Sequence, residues 1–301
     1  MPEIKVIANP QAGRGRGRDT IAYVARMLPG TGLEFDVSLT EYPGHAIQLA
    51  HLAVAEGYRT IVALGGDGTV NEIINGLCIG RGDDPRPADI VKLGVIPAGS
   101  GNDFAYAVGL PRNVTQSLDR LVAGNTRLVD LGRINDRFFA YGVGIGLDAQ
   151  VNIESQKIRR LRGMLLYFIA LLKVLVFRHR TYELEINIDG RQLKQQTLLM
   201  SVANGRRTAG AFLLTPNAKV DDGLLSLCII APVSKLDMIR FLPLVFKGYH
   251  TKLSAVKTFD ARRVQVRSDS PLATHVDGEV FGLGERCFEF SLLPHSLRVI
   301  C

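Results

Sequence analysis

The segment that most constrains the fold is IVALGGDGTVNEIINGL, residues 61–77. Residues 60–64 are apolar or β-branched without alternation, the pattern of a strand buried on both faces of a parallel sheet. The run breaks at Gly65-Gly66-Asp67-Gly68, and apolar residues then recur at helical spacing. Glycines leave no Cβ between a turn's backbone amides and a bound anion, and the helix that follows adds the positive end of its dipole. The geometry suits phosphate. Thr69 and Glu72 also form a T-x-x-E capping box, so part of the motif could serve only to start the helix. A cap leaves Asp67 unexplained, because an acid beside a phosphate site usually works through a bound cation.

Two neighbouring segments repeat the design. Residues 4–8 read as a short strand that runs into Asn9, Pro10, Gln11, Ala12 and Gly13, then into alternating arginines and glycines before a helix at 20–28. This is not a Walker A loop, since no G-x-x-x-x-G-K-[ST] occurs, and its arginines could equally be solvated or bind RNA. Residues 92–96 read as a strand followed by Pro97-Ala98-Gly99-Ser100-Gly101-Asn102-Asp103-Phe104 and a short helix ending near Gly109, where Ser100 and Asp103 could act as caps. Between these lie a strand at 35–40 and a helix at 45–56, whose apolar side is Ile47, Leu49, Ala50, Leu52 and Val54. Strands alternating with helices predict a doubly wound α/β sheet, and three glycine turns at strand ends imply one shared crevice.

The pattern changes near Asp130. From Gly132 onward, strand-like runs at 137–143, 182–188, 198–203, 224–230, 263–267 and 287–292 are separated by turn signals such as Asp189-Gly190 and Asp222-Gly223. These predict an antiparallel β domain interrupted by helices at 158–177 and 235–246. At 301 residues and 47% hydrophobic, the chain is long and apolar enough for two cores. The first of these helices starts with Lys157, Arg159, Arg160 and Arg162 and is apolar on nearly every side, which fits either a helix buried on the sheet or one that touches anionic lipid. Its apolar stretch, 164–177, is shorter than the roughly 20 residues needed to cross a bilayer. Asp148, after the glycine-rich GVGIGL, could meet a substrate hydroxyl or mark a bulge or turn. Glu279, directly after the Asp277-Gly278 turn, could be a catalytic base or an exposed strand residue.

Lys plus Arg exceed Asp plus Glu by 36 to 29, a net +7, which fits a phosphate-bearing partner or an anionic membrane surface. Nucleic acid would satisfy the charge, but no aromatic stacking motif accompanies it, so a basic nucleic-acid or membrane scaffold without catalysis is the rival from another class. Cys78, Cys228, Cys287 and Cys301 have no C-x-x-C spacing and no signal peptide precedes them, so reduced thiols in a cytoplasmic protein are expected.

Taken in order, Asn9-Pro10 with its loop, GGDGTVNE at 65–72, PAGSGNDF at 97–104 and Asp277-Gly278-Glu279 resemble the diacylglycerol kinase catalytic domain and the wider lipid kinase family, with the soluble bacterial members as the nearest likeness and sphingosine and ceramide kinases further off. The resemblance covers essentially the whole chain. It implies a nucleotide-binding α/β domain of the phosphofructokinase and NAD kinase type at 1–131, to which 293–301 returns, and a lipid-binding β-sandwich at 132–292. It also implies ATP contacts at Asn9, Pro10, Gln11, Ala12, Gly13, Thr40, Gly66, Asp67, Gly68, Thr69, Val70, Asn71, Glu72 and Ser100, with Ser100-Gly101 standing where relatives often carry threonines. Glu279 becomes the general base toward a lipid hydroxyl, Asp67 the partner of catalytic Mg2+, and the carboxylate of Asp222 with the carbonyls of Lys219 and Leu224 a second, structural Mg2+ site. Asp103 and Asp130 match further acids of the polar network that tunes that second site. Diacylglycerol is the expected lipid substrate, on an anionic membrane surface and without nucleic acid, and a homodimer is compatible. The alternatives are a kinase for a sphingoid base, ceramide or phosphatidylglycerol, or a soluble NAD kinase-like enzyme.

Overall fold

The structure is a computed structural model that describes residues 3–82, 85–158, 163–177 and 180–301. The chain divides into two units, 1–131 with 293–301 and 132–292. In chain order the first contains β1 (Ile4–Ala8), α1 (Arg16–Met27), β2 (Phe35–Leu39), α2 (His45–Ala55), β3 (Thr60–Gly65), α3 (Asp67–Cys78), β4 (Lys92–Pro97), α4 (Asp103–Ala107), α5 (Val114–Ala123) and most of β5 (Thr126–Ile134). The second contains β6 (Arg137–Phe139), β7 (Gly142–Gly146), α6 (Leu147–Lys157), α7 (Gly163–Phe177), β8 (Tyr182–Ile188), β9 (Arg191–Thr197), β10 (Leu199–Ala203), β11 (Leu225–Ile230), α8 (Lys235–Phe246), β12 (Val256–Ala261), β13 (Arg263–Ser268), β14 (Thr274–Val276) and β15 (Glu279–Gly282), and β16 (Cys287–Ile300) leads back to the first unit.

In the first unit the parallel order is β2-β1-β3-β4, with Ala8 opposite both Leu39 and Leu64, and Gly65 opposite Pro97. β3 is buried from Ile61 to Gly65, as its unbroken apolar run predicts. The chain leaves β1 toward β2 and then returns across β1 to β3, so the winding reverses between β1 and β3. In open α/β sheets such a switch point, outside the carboxyl ends of the strands, is where ligands bind. The last strand adds Arg298 and Val299 beside Lys92 and Leu93.

In the second unit, β16-β13-β8-β9 and β12-β11-β10-β7-β14-β15 form two antiparallel sheets that share one core. Leu184, Ile186, Val264, Val266, Phe288 and Phe290 come from the first sheet, and Val143, Ile145, Met200, Val202, Leu225 and Leu227 from the second. β8 is buried at every second residue, the alternation of a sandwich strand. A smaller cluster under α7 contains Val151, Ala170, Val174, Leu175, Leu199 and Leu214.

Several local expectations change. The helix expected at 20–28 begins at Arg16, so the last arginines of the GRGR segment lie in its first turn. The apolar side of α2 is Ala46, Ala50 and Ala53, while Leu52 is 54% exposed. Small residues win because α3 packs closely: a Cβ on Gly76 would stand 2.3 Å from the Ile47 carbonyl oxygen. The run 137–143 is two strands, β6 and β7, in different sheets. Of the helix expected at 158–177 the described part is α7, Gly163–Phe177, and a separate helix that was not expected, α6, precedes it and ends at Lys157; Arg159, Arg160 and Arg162 lie outside the described residues. Among the described residues no helix is long and apolar enough to cross a membrane. The four cysteines are free; burial pushes the thiols of Cys78 and Cys228 up to about 12 each, so neither is a nucleophile at neutral pH.

Candidate active site

Three loops leave the carboxyl ends of β1, β3 and β4, and the structure packs them backbone to backbone. A Cβ on Gly99 would lie 2.5 Å from the Gly66 Cα, and one on Gly13 2.3 Å from the Ala98 carbonyl oxygen, so only glycine permits either approach. Polar side chains then lock the loops. Asn9 accepts the Gln11 amide at 2.8 Å on Oδ1 and donates from Nδ2 to Thr69 Oγ1 at 3.1 Å, joining the first loop to α3. Arg16 Nη2 donates to the Gly99 carbonyl at 3.2 Å, joining it to the third. Asn102 closes that third loop on itself, accepting from Gly99 N at 2.9 Å and donating to Gly99 O at 3.1 Å. Thr40, at the end of β2, is tied to β1 by its amide, which donates to Ala8 O at 2.9 Å. The three loops expected to share one site therefore meet within this unit.

Around it, Asn9, Pro10, Gly13, Thr40, Gly66, Asp67, Gly68 and Glu72 are partly exposed, and Gln11 and Ser100 are exposed. Ala12, Thr69, Val70 and Asn71 are buried. Of these, Thr69 lies in the first turn of α3, where the amides up to its own lack helical partners and can face an anion, whereas the Val70 amide already donates to the Gly66 carbonyl at 3.1 Å.

The capping box is not formed. Thr69 Oγ1 serves Asn9, and Glu72 reaches away from its own helix to accept the amides of Gly44 at 2.8 Å and Ala46 at 3.1 Å, so it caps α2. Tertiary packing has overridden the local motif. Glu72→Ala is expected to lower stability by about 1 kcal/mol, as cap deletions do, or about 2–4 °C in Tm for a chain of this size. Thermal denaturation of the purified variant measures it.

Asp67 stands at the start of α3 with its Oδ1 accepting the Phe104 amide at 3.0 Å, which caps α4 from outside that helix. Its Oδ2 borders the space that a Cβ on Gly101 would fill, 3.1 Å away, and Asp103 Oδ2 borders the same space at 3.3 Å. Two carboxylates beside a glycine hollow are the hard oxygen donors that Mg2+ takes, and it completes its shell with phosphate oxygens and water. Among the described residues no group of three or more His, Cys, Asp or Glu could hold a metal unaided. Asp130 is buried, and its Oδ1 accepts the His295 amide at 2.8 Å.

In the second unit, Asp277 and Gly278 both take positive φ, 46° and 82°, the two-residue hairpin turn that Asp-Gly favours. Asp277 is 1% exposed, and its carboxylate accepts the amides of Ala140, Tyr141 and Gly142 at 2.6, 3.1 and 2.9 Å. Those three amides explain why 137–143 is not one strand. Glu279 follows with its side chain 39% exposed and Oε2 3.0 Å from Arg137 Nη2. Arg137 also stacks on Phe281, its guanidinium 5.8 Å from the ring centroid. No motif in the sequence pointed to Arg137, since it lies 142 positions from Glu279.

For Asp148 the structure shows a side-chain partner that neither reading anticipated. It lies in the first turn of α6, not in a bulge, with Oδ2 3.0 Å from His275 Nε2 in a partly buried contact. At the 219–224 turn, Asp222 Oδ1 accepts the Leu224 amide at 3.1 Å. Lys219 and Asp222 are exposed and Leu224 is half-buried, and the turn's carboxylate and carbonyls are again hard oxygen donors.

The sequence matches the description "Diacylglycerol kinase catalytic domain" over residues 3–134 and "YegS C-terminal NAD kinase beta sandwich-like domain" over 142–301. It is 32% identical over 280 residues to proteins named diacylglycerol kinase from Staphylococcus aureus strains MRSA252 and Newman, covering 92% of this chain and 86% of theirs. Two solved structures from Bacillus anthracis str. Sterne share the fold, with TM-scores of 0.80 and 0.73 at 23% and 21% identity, covering 99% of this chain and 96% of each of theirs. With both descriptions matched in chain order and about a third of residues shared across nine-tenths of its length, the chain belongs to the diacylglycerol kinase family of lipid kinases.

Proposed function

We propose that the chain transfers the γ-phosphoryl group of ATP to the free hydroxyl of diacylglycerol, giving phosphatidic acid and ADP. The observation that carries this reading is the close-packed set of three glycine loops at the β1/β3 switch point, with Asp67 at its edge. The backbone amides of Gly66, Asp67, Gly68 and Thr69 hold the polyphosphate, while Asn9, Gln11, Thr40 and Ser100 line the nucleotide's approach. Asp67, with Asp103 beside it, would hold Mg2+, which would neutralise charge on the transferred group. Glu279 accepts the hydroxyl proton as the lipid oxygen bonds to the γ-phosphorus and the bond to ADP breaks. The protein's work is positioning and charge placement, which is most of what phosphoryl transfer needs.

The turn holding Lys219, Asp222 and Leu224 is proposed as the structural Mg2+ site. Peripheral contact with an anionic membrane is proposed from two helices. On α7, Leu165 is 56% and Val176 59% exposed; on α8, no residue is buried and Leu236 is 67% exposed, with Lys235 and Arg240 alongside. Apolar and basic side chains together suit an anionic interface. A cytoplasmic enzyme working at that interface is the corresponding cellular reading. Turnover should be faster on diacylglycerol carried in phosphatidylglycerol vesicles than in phosphatidylcholine vesicles, and faster than on sphingosine or ceramide in either. Equal rates on both vesicle types would remove the membrane proposal, and a preference for sphingosine would replace the acceptor.

A further inference from the structure

The hairpin that presents Glu279 is held by more than its strands. His275 of β14 pairs with Gly144 of β7, and a Cβ at position 144 would stand 2.3 Å from Asp148 Oδ2 and 2.4 Å from His275 Nε2. The missing side chain makes room for the contact between those two, 3.0 Å long, with His275 only 2% exposed. On its other side the imidazole is met by the turn itself, since the Gly278 amide donates to His275 Nδ1 at 3.3 Å. A ring nitrogen that accepts an N–H carries no proton, so the proton sits on Nε2 and points at Asp148. The carboxylate thereby sets both the tautomer and the orientation of the ring.

One turn further along α6, on the same face as Asp148, Asn152 Nδ2 donates to the Gly278 carbonyl at 2.7 Å. Gln156 Nε2 donates in turn to Asn152 Oδ1 at 3.2 Å, which fixes the direction of the amide group. Both polar atoms of Gly278 are thus bound by side chains. That matters because glycine at positive φ rotates cheaply, and the Gly278 carbonyl belongs to the peptide plane directly before Glu279.

We propose that Asp148, His275 and Asn152 are positioning residues for Glu279: through the Gly278 peptide they fix the direction in which its carboxylate meets the acceptor hydroxyl. The inference rests on the reading of Glu279 as the base. None of the three touches substrate. Their work is on geometry, where a displacement of about 1 Å can cost about 10²-fold in rate.

The test uses the full chain with ATP, Mg2+ and diacylglycerol in phosphatidylglycerol vesicles, measuring kcat, KM for ATP and thermal denaturation for each variant. His275→Gln keeps a polar atom near Nε2 and loses the acceptor at Nδ1; His275→Asn keeps an oxygen near Nδ1 and loses the reach to Asp148. Asn152→Asp keeps shape and sets an acceptor against the Gly278 carbonyl. His275→Gln and Asn152→Asp are expected to lower kcat by about 10-fold or more with KM for ATP within about twofold, and His275→Asn to recover most of that loss. The positioning role is overturned if His275→Gln and Asn152→Asp keep kcat within about twofold of the parent, whatever their Tm, while Glu279→Gln loses about 10²-fold. Parent-like turnover by Glu279→Gln would instead remove the base reading beneath it. Where His275→Gln does not fold, Asn152→Asp decides alone.

Discussion

Glu279→Gln is expected to lower kcat by at least about 10²-fold, or about 3 kcal/mol of transition-state stabilisation, with KM for ATP within about twofold of the parent. Glutamine matches the shape of the side chain, and its amide oxygen can still face Arg137 Nη2, 3.0 Å from Oε2 in the parent. What it lacks is the capacity to take a proton from the acceptor. A loss confined to kcat marks an interaction made only in the transition state. Steady-state kinetics at saturating lipid measures both constants, and a variant with near-parent turnover would dismiss Glu279 as the base.

Asp67→Asn carries the second large effect. The substitution keeps an oxygen for the Phe104 amide, which Asp67 Oδ1 meets at 3.0 Å, so α4 stays capped. Only the charge is lost. A fall in kcat of about 10²–10³-fold and a higher Mg2+ requirement are expected, the scale seen when one electrostatic group is deleted from a preorganised site. The Tm should stay within about 2 °C of the parent, whereas Asp67→Ala should also lose about 1 kcal/mol of stability with the cap. Titrating Mg2+ at fixed ATP separates the two roles. An asparagine variant with parent kcat and parent Mg2+ dependence would leave Asp67 as a helix cap alone.

Asp67 stood out in the sequence as an acid between glycines at the end of a buried strand, whereas Glu279, the first residue of β15 after the Asp277-Gly278 turn, was singled out chiefly by the family resemblance. β1, β3 and β4 were legible because buried parallel strands are unbroken apolar runs that stop at glycine. Other elements carry no such signature. β9 is RQLKQQT with its side chains largely exposed, and α6 is LDAQVNIESQK without an apolar stripe, so neither periodicity stands out. The last strand runs through Pro294 to Ile300, although proline usually ends a strand; His295 takes a positive φ of 52° and Asp130 binds its amide. Contacts made at long range were hidden altogether. Glu72 reads as its own helix's cap until Gly44 and Ala46 arrive 28 and 26 positions away, and nothing around Asp148 announces His275, 127 positions on. Local patterns report what a residue does to its own element, and these residues act on another.

The central claim is that the nucleotide loops serve a lipid acceptor and not a soluble one. Radiolabelled ATP offered to the purified chain with diacylglycerol in phosphatidylglycerol vesicles and NAD in the same reaction tests it most directly. Label in phosphatidic acid, identified by mass and lost in Glu279→Gln, is the result predicted; label in phosphorylated NAD with none in the lipid fraction would contradict it.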